Sequence, residues 1–169
     1  VKIYKTSDGG KELIIGLLSA GDFFGHIPLI ENTIYEEFAE TMEESTIRVI
    51  PRKEFEHLIT QHQEIALKVI KLLANNISEK EQQLVALAYH SLRKRVADAL
   101  LTLKKKYADK EAEGNFSISI SREDLANIAG TATESLIRTL SDFKSEKLIE
   151  IKEGKIILLD EKKLTNLFN

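Results

Sequence analysis

Residues 120–159, ISREDLANIAGTATESLIRTLSDFKSEKLIEIKEGKIILL, constrain the fold more than any other part of the chain. Ser121 followed three residues later by Asp124 is a helix-capping signature. Leu125 and Ile128 supply apolar contacts, and Ala126 is small enough for two helices to cross closely. Gly130 stands where the chain must turn sharply, because glycine takes a positive φ at little cost. A second helix is expected to open with a capping box, Thr131 and Glu134, and to bury Leu136, Ile137 and Leu140. Leu148 to Ile151 and Lys155 to Leu159 flank Glu153-Gly154, the pattern of a β-hairpin. Two short helices, a tight turn and a hairpin in that order spell a winged helix-turn-helix, whose second helix fits the major groove of DNA.

The exposed positions near the start of that second helix are expected to be Thr133, Glu134 and Ser135, with Arg138 one turn later. Glu134 and Arg138 are four residues apart and share a face. A carboxylate accepts from cytosine N4, and a guanidinium grips guanine O6 and N7. Ser121 and Arg122, at the start of the first helix, are placed for phosphate contact. The competing reading is an exposed ion pair between Glu134 and Arg138, worth about 0.3–0.5 kcal/mol.

The remaining sequence divides into two parts. Residues 1–50 carry short alternating segments (VKIYK, ELIIGLL, IRVI), with turns at Asp8-Gly9-Gly10 and Ala20-Gly21-Asp22 and bends at Gly16, Gly21 and Gly25. The expectation is an all-β region, followed by a short helix that Pro51 opens and that runs to about Ile59. A long helix is expected from about Gln63 to Tyr89. Ile70, Ile77 and Leu84 fall on one heptad position and Leu73, Lys80 and Leu87 on the other. A second row, Ile65, Val69 and Leu72, is free to face the β-region. A helix apolar on two faces needs two partners, so a parallel homodimer is expected, with Lys80 as a lone charge in the seam; burial of both rows within one monomer is the alternative. Another helix spans about Leu92 to Tyr107, burying Val96, Leu100, Leu101 and Leu103. Ala108 to Gly114 reads as a polar connector, and Phe116, Ile118 and Ile120 as a strand. Asp160 to Asn169 reads as a short amphipathic helix with Leu164, Leu167 and Phe168 inside.

With 43% hydrophobic and 30% charged residues, the composition is that of an ordinary globular chain. A net charge of −3 is far from the basic balance of a non-specific nucleic-acid binder. Position matters more than the sum: Glu31, Glu36, Glu37, Glu40, Glu43 and Glu44 crowd the front, while Arg93, Lys94, Arg95 and Lys104, Lys105, Lys106 flank the DNA-binding motif as candidate phosphate contacts. There is no cysteine, so neither disulfides nor thiolate metal sites arise within these residues, and a cytoplasmic setting is the default expectation. His26, His57, His62 and His90 form no pair with metal-ligand spacing. No glycine-rich phosphate loop, nucleophile elbow or HExxH motif points to catalysis, and no apolar run is long enough to span a membrane.

The segment GDFFGHIPLIEN, a long helix containing Leu87-Ala88-Tyr89, and then ISREDLANIAGTATESLIRTL together resemble the CRP/FNR family of bacterial transcription regulators over nearly the whole chain. The resemblance implies an α+β architecture: a β-roll truncated at its start (1–60), a central dimerisation helix (61–90) and a winged helix-turn-helix (91–169). It further implies a homodimer on a palindromic double-stranded DNA operator, a possible small-molecule effector, and RNA polymerase as partner if the protein activates. It assigns base reading to Glu134 and Arg138, while Thr133 stands where some relatives carry an arginine. The cyclic-nucleotide sensors of the family place a Glu after the Gly-Asp-Phe turn and an Arg with Ser or Thr further on. Here His26 takes the first place and Glu36-Glu37 occupy the second, with Lys80 and Glu81 at effector height on the long helix. Two carboxylates repel a phosphate, so the expected effector is not cyclic AMP, and no cofactor or metal is assigned. A ligand-binding or protein-interaction module, its winged unit contacting protein instead of DNA, is the alternative from a different class.

Overall fold

A computed structural model describes residues 1–107 and 117–167. The expected connector at Ala108–Gly114, Phe116 and Phe168 lie outside the described residues.

The N-terminal sheet has three antiparallel strands, β1 (Lys2–Thr6), β2 (Glu12–Leu17) and β3 (Phe38–Glu40), with β1 in the centre. The β1–β2 hairpin closes through Ser7 and Lys11, and its register shifts at Ile3/Tyr4, opposite Gly16. Gly21 and Gly25 both take positive φ, as turn glycines do. The region is not all β. Helix α1 (His26–Glu31) starts directly after Gly25. The IRVI segment forms no strand, and Ile47 and Val49 are exposed; an alternating pattern makes a strand only where a neighbouring strand supplies the ladder.

Helix α2 (Arg52–Gln61) follows Pro51, which caps it from outside: the Pro51 carbonyl accepts from Phe55 N–H at 3.0 Å. Helix α3 (Gln63–Tyr89) matches the expected span, and contains no buried residue. Its main packing partner is α2, and Ile65, Val69 and Leu72 are half-buried. That second row was expected against the strands. The sheet instead reaches α3 through Lys80, whose Nζ donates to the Ile15 carbonyl in β2. Lys80 therefore sits on the sheet side, and burial pulls its pKa down against the nearby charges of Glu37 and Glu79. Ile70, Ile77 and Leu84 are 60%, 61% and 66% exposed, an apolar stripe with nothing over it among the described residues.

The chain breaks helix at His90, which takes extended backbone, and resumes in α4 (Leu92–Tyr107). Val96, Leu100 and Leu103 of α4 are buried as expected, with Leu101 half-buried. They form the floor of the main core with Ile118 of β4 (Ser117–Ile118), helices α5 (Arg122–Ala129) and α6 (Thr133–Ser145), the hairpin β5 (Ile149–Lys152) and β6 (Lys155–Leu158), and Leu164 of α7 (Glu161–Thr165). The second sheet runs β4-β6-β5, all antiparallel. Glu153 and Gly154 both have positive φ, the geometry of a two-residue hairpin turn that keeps the strand twist. Ala126 and Ala129, buried at 1% and 3% exposure, let α5 approach its neighbours closely, as the small side chain at 126 suggested. No helix of the described residues is long and apolar enough to cross a membrane.

Candidate nucleic-acid interface

Helix α5 is capped as its sequence indicates. The Ser121 hydroxyl accepts from Asp124 N–H at 2.9 Å and donates to Asp124 Oδ2 at 2.7 Å. Gly130 ends the helix in the left-handed region (φ 63°), its N–H bonded to the Ala126 carbonyl. Thr131 N–H bonds to that same carbonyl at 3.0 Å, so the turn uses one residue more than a direct helix-to-helix step. The cap of α6 moves with it. Ala132 is the N-cap and makes no side-chain bond, so the expected Thr131–Glu134 capping box does not form. Thr133 and Glu134 are the first two helical residues, and the N-terminal N–H groups of α6 are left without a side-chain acceptor of their own.

Glu134 and Arg138 are exposed, and neither pairs with the other or with any other described residue. The i,i+4 ion pair that competed with base reading is absent from this structure. Thr133 and Ser135 are half-buried beside them. The buried side of α6 is Leu136, Thr139, Leu140 and Phe143, with the Thr139 hydroxyl donating to the Ser135 carbonyl at 3.0 Å. Ile137, expected in the core, is 51% exposed and lies on the outer face. Leu136, Leu140 and Phe143 repeat at four and three residues and make the buried row, whereas Ile137 falls one step off it, at three-residue spacing from Glu134.

Arg122 is half-buried, and its guanidinium donates to the Gly154 carbonyl at 3.1 Å, tying the start of α5 to the turn of the hairpin. Ser121, Glu153, Gly154 and Lys155 then line one wall of a cleft of about 500 Å³. Lys2 and Glu40 of the first sheet, with Thr41 and Met42 just after β3, also line the cleft. Lys2, 8% exposed, reaches across to Asp124.

Of the basic residues beside the motif, Lys105 alone is exposed without a partner among the described residues; the others are tied down. Arg93 pairs with Glu146 at 2.8 Å and lies over the Phe143 ring. Lys94 holds Asp98 and the Thr165 carbonyl, Arg95 donates to the Gly130 carbonyl at 2.9 Å, Lys104 pairs with Glu161, and Lys106 with Asp22. Most of these partners are distant in sequence, so the runs look unpaired until the chain is folded.

Two family models match the chain: a Crp-like helix-turn-helix domain over residues 94–167 and a cyclic nucleotide-binding domain over residues 1–62. The first covers α5, the Gly130 turn, α6 and the hairpin in one unit. The chain belongs to the CRP/FNR family. This CRP/FNR regulator is 26% identical over 165 residues to Electron transport regulator A of Shewanella oneidensis, covering 97% of the chain and 66% of that protein. It is 28% identical over 156 residues to the Cyclic AMP receptor protein of Thermus thermophilus, covering 92% of the chain and 69% of that relative. The chain thus spans about two thirds of the length of these relatives. Its backbone superposes on a solved CRP/FNR-family transcriptional regulator, also of Thermus thermophilus, with a TM-score of 0.71 at 26% identity, covering 96% of the chain and 80% of that structure.

The N-terminal half of the regulator contains an unusual buried group. His26 is 4% exposed, stacks on Phe23 at 5.3 Å between ring centroids, and has no hydrogen-bond partner on either ring nitrogen among the described residues. Phe23 stacks in turn on Phe55 of α2. Burial lowers the His26 pKa, with the Glu37 charge opposing, so the ring is held neutral. Glu36 is exposed and pairs with Lys5 at 3.4 Å. Glu37 is exposed and precedes β3.

Proposed function

We propose that this CRP/FNR protein is a sequence-specific DNA-binding transcription regulator that reads its operator with the outer face of α6. The observation that carries this reading is the pair Glu134 and Arg138, exposed and unpaired on the second helix of a winged helix-turn-helix. Unpaired charges on one helix face are ready to exchange water for base edges, where each good bidentate contact contributes about 1–3 kcal/mol of discrimination. Ser121 and Arg122 support the phosphate side, Arg122 through its hold on the hairpin turn, with Thr133 and Ser135 completing the face.

The reading divides the chain into a β-roll unit at 1–60, a dimer helix at 61–90 and the DNA-binding unit at 91–169. The exposed stripe Ile70, Ile77, Leu84 supports a parallel homodimer through α3, since an apolar face of this length is stable in water only when covered. A twofold dimer matches a palindromic operator with half-sites about 34–36 Å apart. Any effector is a ligand other than cyclic AMP: the residues at the expected phosphate-clasping positions are a buried, uncharged His26 and the carboxylates Glu36 and Glu37, none of them a cation. The protein works in the cytoplasm, as a binder and not a catalyst, and contacts RNA polymerase if it activates. Selection of bound duplexes from a random pool, with the salt dependence of the winner measured, tests this. Enrichment of an inverted repeat whose affinity falls steeply with salt is expected. Recovery of the pool without enrichment would overturn it.

A further inference from the structure

Ile137 stands out on the face that carries Glu134 and Arg138. Positions 134, 137 and 138 are related by three and four residues and form one patch on the helix surface. Leu136 and Leu140 beside it are buried at 0% and 2% exposure, whereas Ile137 is 51% exposed. A β-branched side chain is a poor choice for an exposed helix position, because it loses rotamer freedom without gaining contacts. Folding therefore does not call for isoleucine here. The same stiffness has a use on a reading face: the side chain has one strongly preferred χ1 rotamer in a helix, so little freedom is lost on contact.

The major groove presents donors, acceptors and a single kind of apolar feature, the 5-methyl group of thymine. Glu134 and Arg138 end in an acceptor and in donors; Ile137 ends in methyl groups. We propose that Ile137 is a third specificity-determining residue on α6 and that it recognises a thymine methyl in each operator half-site, between the bases read by Glu134 and Arg138. This inference rests on the reading of α6 as the recognition helix. It adds a constraint that the two charged residues do not: a required T·A pair set by shape and not by hydrogen bonds.

The test replaces each thymine of the selected operator in turn by deoxyuridine, which removes only the methyl group. Titrations use wild type, Ile137→Ala and Ile137→Val, with helix content checked by circular dichroism. One deoxyuridine position is expected to weaken wild-type binding by about fourfold, the effect of one methyl group leaving an apolar contact. Ile137→Ala should bind the two operators equally, and Ile137→Val should keep the discrimination. Wild-type indifference to deoxyuridine at every position overturns the proposal, as does Ile137→Ala retaining the full discrimination. A wild-type protein that selects no sequence overturns the DNA reading and this inference together. Selective binding with deoxyuridine indifference overturns this inference alone.

Discussion

The ammonium of Lys2 lies 2.7 Å from Asp124 Oδ1, joining the first strand of the N-terminal sheet to the first helix of the DNA-binding motif. Glu40 at 3.2 Å and Glu12 at 3.9 Å complete the site. Burial alone pulls the Lys2 pKa down; hydrogen bonds and charge from Asp124 and Glu40 outweigh it and hold the ammonium above its ordinary value. The lysine is nearly buried among three carboxylates, so removing it leaves Asp124, Glu40 and Glu12 without the cation they share. Lys2→Ala should cost about 2–3 kcal/mol in urea unfolding. A double-mutant cycle with Asp124→Ala should return a coupling of about 1–3 kcal/mol. Additive losses would show that the two halves of the chain are not joined here.

A methyl group at position 130 would stand 2.6 Å from Leu87 Cδ2, at a residue whose φ is already +63°. Gly130→Ala is expected to destabilise by roughly 1–2 kcal/mol through the left-handed backbone alone. The Leu87 clash adds to this, and Leu87→Ala should remove the addition. Thermal unfolding of the single and double variants separates the backbone part from the contact. An equal cost of Gly130→Ala in both backgrounds would show that Leu87 gives way freely.

Arg138→Ala should weaken operator binding by about 1–3 kcal/mol and relax one G·C position, while leaving α6 folded. Glu134→Ala should relax a different position. Fluorescence titration against singly substituted operators reads both effects. Uniform weakening across all sequences would mean phosphate contact instead of base reading.

Placing a charge in the exposed apolar stripe of α3 should disrupt the proposed dimer without unfolding the chain. Ile77→Glu is the choice, because Ile77 lies mid-stripe and is not part of the core. Sedimentation should report half the wild-type mass with an unchanged far-ultraviolet spectrum. A dimer that survives would place the interface elsewhere.

His26 predicts a pH dependence of stability. Its folded pKa lies below the ordinary value because burial favours the neutral ring. The stability from that neutral ring is in place above about pH 6.5 and is lost as pH falls through the folded value, since the unfolded chain takes up the proton first. His26→Leu should flatten the change in urea midpoint between about pH 7.5 and about pH 5 relative to wild type. An unaltered slope would assign the acid sensitivity to other groups.

The long-period features were legible. The bounds of α3 and α4 follow from helical spacing, and the hairpin, whose strands lie within one residue of the expected bounds, from the Glu153-Gly154 pair, all of which are local. The cap of α6 was misplaced by one residue because the Gly130 turn draws in Thr131, and capping patterns do not reveal how much chain a turn consumes. Ile137 was misplaced because it borders the row of Leu136, Leu140 and Phe143, and a border residue is settled by packing. Arg93 and Lys106 read as free because Glu146 and Asp22 approach only in the folded chain. The exposure of Glu134 and Arg138 was legible, since it follows from helical period alone.

Leu87 lies before the interruption at His90 and Arg95 lies after it, yet both bear on Gly130. Leu87 and Arg95 therefore tie the α3–α4 junction to the turn that leads into α6. Adding a single residue at the non-helical His90–Ser91 junction would lengthen the link between α3 and α4 by up to about 3.5 Å. Leu87 and Arg95 would no longer meet over the same glycine, and each half of the protein would keep its fold while losing its alignment to the other.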